Sequence, residues 1–399
     1  MTYDVAVLGL GAMGAAAAYQ LAKRGAKTIG FDQFDPPHAM GSSCGDTRVT
    51  RLAIGEGEQY VPLVRRSHEI WREIERQTGV RLLNQSGGLV ISSPGETAVT
   101  HVEGFFDKTI AAARRFGIAH EILDAGDIRR RWPQFNVRDD EVGYFEPSAG
   151  FVRPEECIHT QLELARADDA EIHTNERVLH FEAASHGVAL ITDKGRYAAG
   201  KLIISAGAWL PELLGGACAN LFRVYRQVQF WFALEGSADP FLPETCPVFI
   251  WELQNSKYGI YGFPTLDGRS VKVASEQFEA ATTPGTVARE ADRDEPAATY
   301  ENLVGPNIRW LGRRCLKATV CLYTVTPDFG FVIDRHPQSE RVVIASACSG
   351  HGFKHSAAIG EVLAGLALEG GSGIDLAPFR LARFAGQAHP SPPGYGQFS

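Results

Sequence analysis

Tyr3-Asp-Val-Ala-Val-Leu8 runs directly into Gly9-Leu10-Gly11-Ala12-Met13-Gly14, and an alanine-rich stretch from Ala15 to Arg24 follows. The first run is β-rich, the glycines form a tight turn and the third segment reads as a helix, so the order is strand, turn, helix. Gly9 permits the turn, Gly11 lets the backbone approach a pyrophosphate, and Gly14 lets helix and strand pack closely. The helix N-terminus adds positive potential for phosphate groups. A second strand, Lys27 to Phe31, ends at Asp32, whose carboxylate is placed to accept hydrogen bonds from ribose hydroxyls. This spacing predicts a Rossmann-like dinucleotide site, and the glycine loop alone does not choose between FAD and NAD.

Moving outward, the remaining segments predict a nucleotide domain assembled from separated pieces. Val61 to Gln77, Phe105 to Phe116, Asp127 to Trp132 and Ala357 to Leu368 read as helices. Residues 87–91 and Val342 to Ser346 read as strands, Glu171 to Ala183 and Gly187 to Thr192 as a strand pair, and Lys201 to Trp209 as a buried strand entering a glycine turn. From Arg223 to Ser275 the pattern is β-rich and aromatic, which suits an antiparallel sheet. Residues 280–298 read as a loop with a short acidic helix. The expected division is 1–85, 149–217 and 322–380 for the nucleotide domain and 86–148 and 218–321 for the substrate domain. Residues 388–399, rich in proline, are expected to form a frayed tail.

At 399 residues there is ample core for two domains, and 44% hydrophobic with 22% charged residues is ordinary globular composition. A formal net charge of −8 argues against nucleic-acid binding by a broad basic surface. No apolar run reaches the length of a membrane span, and the N-terminus lacks the pattern of a secretory signal, so a cytoplasmic location is expected. Seven scattered cysteines favour reduced thiols over a disulfide framework.

Five further stretches carry a more specific message: Gly41-Ser-Ser-Cys-Gly-Asp-Thr-Arg-Val-Thr-Arg51, Tyr225-Arg-Gln-Val228, Tyr261-Gly-Phe-Pro264, Cys321-Leu-Tyr-Thr324 and Ser349-Gly-His-Gly-Phe-Lys354. Through them the chain resembles the monomeric sarcosine oxidase and N-methyltryptophan oxidase family of amine-oxidising flavoproteins, from Val5 to about Leu368. The resemblance implies an α/β (α+β overall) chain with a Rossmann-like FAD-binding domain and an antiparallel β-sheet substrate domain. It implies FAD attached through a thioether from Cys321 to the 8α-methyl group. Arg51 and Lys354 match the cations that hold the substrate carboxylate. Lys272 matches the lysine that promotes reaction of reduced flavin with O2, and Arg48 an arginine on the opposite face of the ring. Tyr261, Tyr323 and Gly350 match the lining of the substrate cavity. Ser42, Ser43, Thr47 and Lys354 are also expected beside the cofactor.

These expectations make chemical sense residue by residue. A carboxylate entering a dry pocket needs charge-assisted partners, for which arginine offers a bidentate fork and lysine a point charge. Reduction of O2 begins with superoxide, whose charge a fixed cation stabilises. The expected reaction is oxidation of the C–N bond of a secondary amino acid, sarcosine or another N-methyl one, to an imine that hydrolyses, with O2 reduced to H2O2. The expected partners are that small-molecule amine and O2, with no nucleic acid, no membrane, and a monomeric chain. The alternatives are an oxidase of a cyclic imino acid such as pipecolate or proline, and a nicotinamide-dependent or electron-transferring dehydrogenase.

Three other signals weigh less. Gly41-Ser42-Ser43-Cys44-Gly45 fits the G-x-S-x-G hydrolase pattern, but the proline-containing segment before it is no buried strand. His351 and His355, at i and i+4, have no recognisable third zinc ligand, so no metal is expected. Trp231 and Trp251 fit either a roomy apolar cavity or core packing. The chain also departs from sarcosine oxidases, which usually carry histidine at the positions of Cys44 and Glu276, and its segment from Leu253 to Lys257 is about two residues longer.

Overall fold

The computed structural model of the protein describes residues 2–93, 102–254 and 256–385. Its first strand, Thr2–Leu8, lies between Thr28–Phe31 and Arg196–Ile204 and is parallel to both. Arg196–Ile204 changes neighbours along its length. Its N-terminal half pairs antiparallel with Gly187–Thr192, whereas Leu202 to Ile204 pair in parallel with Val342 to Ile344. The helices Ala12–Lys23, Pro154–Ala167 and Ser356–Leu368 cover this eight-stranded sheet. The C-terminal parts of its central strands, Val5 to Leu8 and Leu202 to Ile204, are buried, which matches their continuous apolar runs.

A nine-stranded sheet forms the second layer system, and Arg223–Leu234 is its longest inner strand. One edge of that strand pairs with Leu311–Val325, and the other with Ser270–Ala274 and Ala281–Thr282, all antiparallel. Gly88–Ser92 enters the same sheet and pairs in parallel with Val248–Trp251. A small third sheet of Arg48–Thr50, Leu83–Asn84 and Gly150–Val152 lies between the two large ones in chain order. Trp251 is buried and its indole N–H donates to Glu141 at 2.9 Å, so it packs the core of the second sheet. Trp231 lies against the Lys272 and Lys317 ammonium groups, at 5.6 and 4.3 Å from its ring. Neither tryptophan lines a cavity of the site.

The main correction to the expected elements concerns Glu171 to Ala183. It forms two strands, Glu171–His173 and Val178–Ala184, and only the second pairs with Gly187–Thr192. The first pairs in parallel with Thr28–Phe31 at the sheet edge. The break falls at Asn175, which has φ of 54° and whose N–H donates to Phe34. A left-handed residue cannot continue a strand, and asparagine tolerates that region better than most. The proline-rich tail at 388–399 lies outside the described residues.

Candidate active site

Two adjoining cavities lie between the layers. The larger, about 240 Å³, begins at the glycine loop, where Gly9 and Gly11 form part of its wall with Asp32, Ser42 and Ser43. Gly9 has φ of 87°, and a Cβ on Gly14 would come within 1.8 Å of the Gly9 carbonyl. Strand and helix can meet here only without side chains, which leaves backbone N–H groups at the helix start facing the cavity. Asp32 is buried and already accepts from Leu10 N and Phe34 N, each at 2.9 Å. A carboxylate has about four acceptor positions, so capacity remains for sugar hydroxyls.

The smaller cavity, about 90 Å³, meets the first where Arg48, Tyr323, Gly350 and Phe353 line both. Arg51, Lys354 and Tyr261 line only the smaller of the two. The Tyr261 and Tyr323 hydroxyls are 3.5 Å apart. Burial raises the pKa of both phenols, so both stay protonated and can donate. Between the two cations sits Glu56, which sequence reasoning did not single out. Arg51 Nη2 donates to Glu56 Oε2 at 2.5 Å, and Lys354 Nζ lies 3.4 Å from Glu56 Oε1. All three side chains are almost wholly buried. Burial, with the Arg51 charge adding to it, outweighs Glu56 and pulls Lys354 down to about 8. The one hint in the sequence is the placement of Glu56 between Gly55 and Gly57, five residues beyond Arg51.

Lys272 is held differently. Its ammonium donates to the carbonyls of Gly45 and Thr47, each at 2.7 Å, and lies 4.0 Å from the centre of the Phe263 ring. The other side of the same loop is fixed by Glu155, which accepts from Gly45 N at 2.6 Å and Asp46 N at 3.1 Å. Burial pushes the Lys272 pKa well down, and the Arg48 charge adds to this. Arg48 donates to the carbonyls of Thr47 and Ser42, both at 2.8 Å. Lys272 and Arg48 thus grip one loop that borders the larger cavity.

Cys321 is fully buried, with Cys44 and Cys348 in the same apolar cluster. It is not part of the wall of either cavity, whereas Cys348 lines the larger one. Ser42 donates to the carbonyl of Leu322, tying the wall of the larger cavity to the strand that carries Cys321. The Thr47 hydroxyl is buried without a partner among the described residues. Glu276, one of the two departures noted above, lines the smaller cavity beside the tyrosine pair. The other, Cys44, is a buried thiol whose pKa burial raises.

A family model described as FAD dependent oxidoreductase matches residues 4–366. The chain belongs to this family. Over 96% of its length it is 40% identical to the monomeric sarcosine oxidase of Streptomyces avermitilis, covering 98% of that protein. It is 34% identical to the N-methyl-L-tryptophan oxidase of Salmonella dublin over 96% of this chain and 100% of that one. In three dimensions it is similar to NikD, an unusual amino acid oxidase essential for nikkomycin biosynthesis, with TM-score 0.81 and 24% identity over 95% and 97% of the two chains. Glycine oxidase from Geobacillus kaustophilus shares the fold at TM-score 0.72 and 20% identity over 96% and 99%. These findings bear out the expected family, fold class and FAD dependence. The larger cavity suits FAD on its own terms: the Gly9–Gly14 contact leaves room for phosphate at a helix start, and Asp32 offers acceptors for a ribose.

Proposed function

We propose that the protein oxidises the C–N bond of a small secondary amino acid, sarcosine or another N-methyl one, and reduces O2 to H2O2. The observation that carries this reading is the pair of buried cations, Arg51 and Lys354, aimed into a small cavity that opens onto the cofactor cavity. In this reading they bind the substrate carboxylate by replacing Glu56, which now occupies both. A carboxylate exchanged for a carboxylate leaves the local charge balance nearly unchanged, which avoids stranding buried cations.

FAD, when bound, would accept hydride from the carbon beside the nitrogen and pass both electrons to O2. The protein's part is to hold and orient. Arg51 and Lys354 fix one end of the substrate, while the Tyr261 and Tyr323 hydroxyls present donors at the cavity junction. The amine must lose its proton before hydride can leave, and the resulting imine hydrolyses to an aldehyde and a shorter amine. Lys272 is the cation for O2 reduction, held by two carbonyls and an aromatic face so that it need not reorganise as charge develops. Cys321 is the attachment point of the flavin through a thioether. Arg48, on the cavity wall, acts on its thiol electrostatically, and Ser42 bonds to the carbonyl of the next residue, Leu322.

The test is H2O2 release from sarcosine and from its methyl ester under air. Turnover of the free acid with at least about 100-fold lower kcat/KM for the ester is expected, since the ester forfeits both charge-assisted contacts. Equal turnover of acid and ester would sink the clamp, and no turnover of any secondary amino acid would sink the activity.

A further inference from the structure

We propose that Gln229 is the positioning residue for flavin attachment, its side-chain amide holding the Cys321 sulfur as the nucleophile. This rests on the reading of Cys321 given above. Gln229 and Cys321 lie on adjacent antiparallel strands, where Gln227 is opposite Cys321 and Gln229 opposite Thr319. Residues two apart on a strand share a face, so Gln229 reaches Cys321 diagonally. Its Nε2 donates to Cys321 Sγ at 3.3 Å, and both residues are buried.

The contrast with Gln227 is informative. That side chain is satisfied at both ends by the backbone of Gln277, donating to its carbonyl at 2.6 Å and accepting from its N–H at 3.0 Å. The carbonyl oxygen of Gln229 instead has no partner among the described residues. Burying an amide with one end unsatisfied is unfavourable, so its retention calls for an explanation beyond packing. The side chain lies beside Gly45. A Cβ on residue 45 would come within 2.1 Å of Gln229 Oε1, so glycine there leaves the space that the amide occupies. The loop beside it is the one gripped by Lys272, Arg48 and Glu155.

The amide matters because the thiolate is the reactive form of cysteine. Burial pushes the Cys321 thiol up to about 12, while Arg48 and the Gln229 hydrogen bond pull it back. Attachment forms one C–S bond between Sγ and the 8α-carbon. The thiol and the methyl group each give up one hydrogen, whose two electrons enter the cofactor ring, and O2 removes them as H2O2.

The experiment uses full-length apoprotein from riboflavin-starved cells, mixed with FAD, and follows the flavin that stays in the acid-precipitated pellet over time and pH. In Gln229→Met the attachment rate at pH 7 should fall about 10- to 100-fold, the size expected for losing one hydrogen bond to a charged group. The pH midpoint of the rate should move up by about one to two units. Gln229→Glu, which adds a competing anion, should be slower still. Noncovalent FAD affinity, read by fluorescence quenching, should change by less than about threefold in the variants, because Gln229 does not line the cofactor cavity. Unchanged rates and midpoints in both variants, with attachment abolished in Cys321→Ala, would overturn this inference alone. Covalent flavin retained by Cys321→Ala, or absent from the parent protein, would overturn both this inference and the attachment reading.

Discussion

The two cavities are built from different materials. The larger is shaped at one end by backbone, with a glycine loop, a strand end and a helix start, and by Asp32, which accepts from the N–H groups of Leu10 and Phe34. The smaller is shaped by charged side chains drawn from distant parts of the chain, among which a cation on one element neutralises an anion on another. A backbone site is specified by short-range sequence and tolerates little change in shape. A side-chain site is specified by long-range contacts and can be retuned by single substitutions. The prediction is that changes in the first cavity cost cofactor, while changes in the second cost substrate affinity and shift pH dependence.

The largest effect is expected from Gly14→Val. With a Cβ 1.8 Å from the Gly9 carbonyl, the turn must open, and the purified variant should carry little or no FAD. Full flavin content would remove the backbone account of that cavity.

Next are Arg51→Ala and Lys354→Ala, each of which leaves the buried Glu56 short of a partner. Inhibition by small carboxylates should weaken by about 100-fold or more, as when one member of a buried pair is removed. Flavin content should be unchanged for Arg51→Ala, so that loss of colour there would blur the division between cavities.

Lys272→Met should slow reoxidation by O2 much more than anaerobic reduction by substrate. The expected ratio is about 100-fold, the scale of one preorganised charge interaction. Equal slowing of both steps would mean that the lysine serves only to hold the loop at Gly45 and Thr47.

The smallest effect is a pH dependence. Lys354 titrates near 8, carrying its charge below that value and losing it above. Carboxylate inhibition should therefore weaken as pH rises through about 8, while Arg51 keeps part of the affinity. Because the amine must also lose a proton, kcat/KM should climb with pH and then level or fall. In Lys354→Met the upper limb should disappear. An unchanged profile would assign it to another group.

The same division explains what the sequence made legible. Gly9, Gly11, Gly14 and Asp32 fall within one strand-turn-helix-strand unit, and local pattern was enough to bring Gly9, Gly11 and Asp32 to one cavity with Gly14 packed against Gly9. The same holds for helices such as Val61–Thr78 and Ser356–Leu368, whose expected bounds differ from the observed ones by a residue. Glu171 to Ala183 breaks in two because Asn175 and Glu176 donate to the carbonyls of Phe34 and Asp32, long-range contacts that composition does not reveal. Gln229 was not legible at all, and Glu56 left only the hint of its place between two glycines beyond Arg51. Their partners, Cys321 and Lys354, lie 92 and 298 residues away, and no local periodicity encodes such pairs. The resemblance to a known family identified the cations, yet it was the structure that placed an anion between them.

The most direct measurement of the central claim is anaerobic mixing of the purified flavoprotein with sarcosine, followed by admission of O2. The account predicts that the yellow flavin absorbance bleaches in proportion to substrate and returns with one H2O2 formed per flavin. Flavin that stays oxidised with sarcosine and with every other secondary amino acid, or that recovers without peroxide, would contradict it.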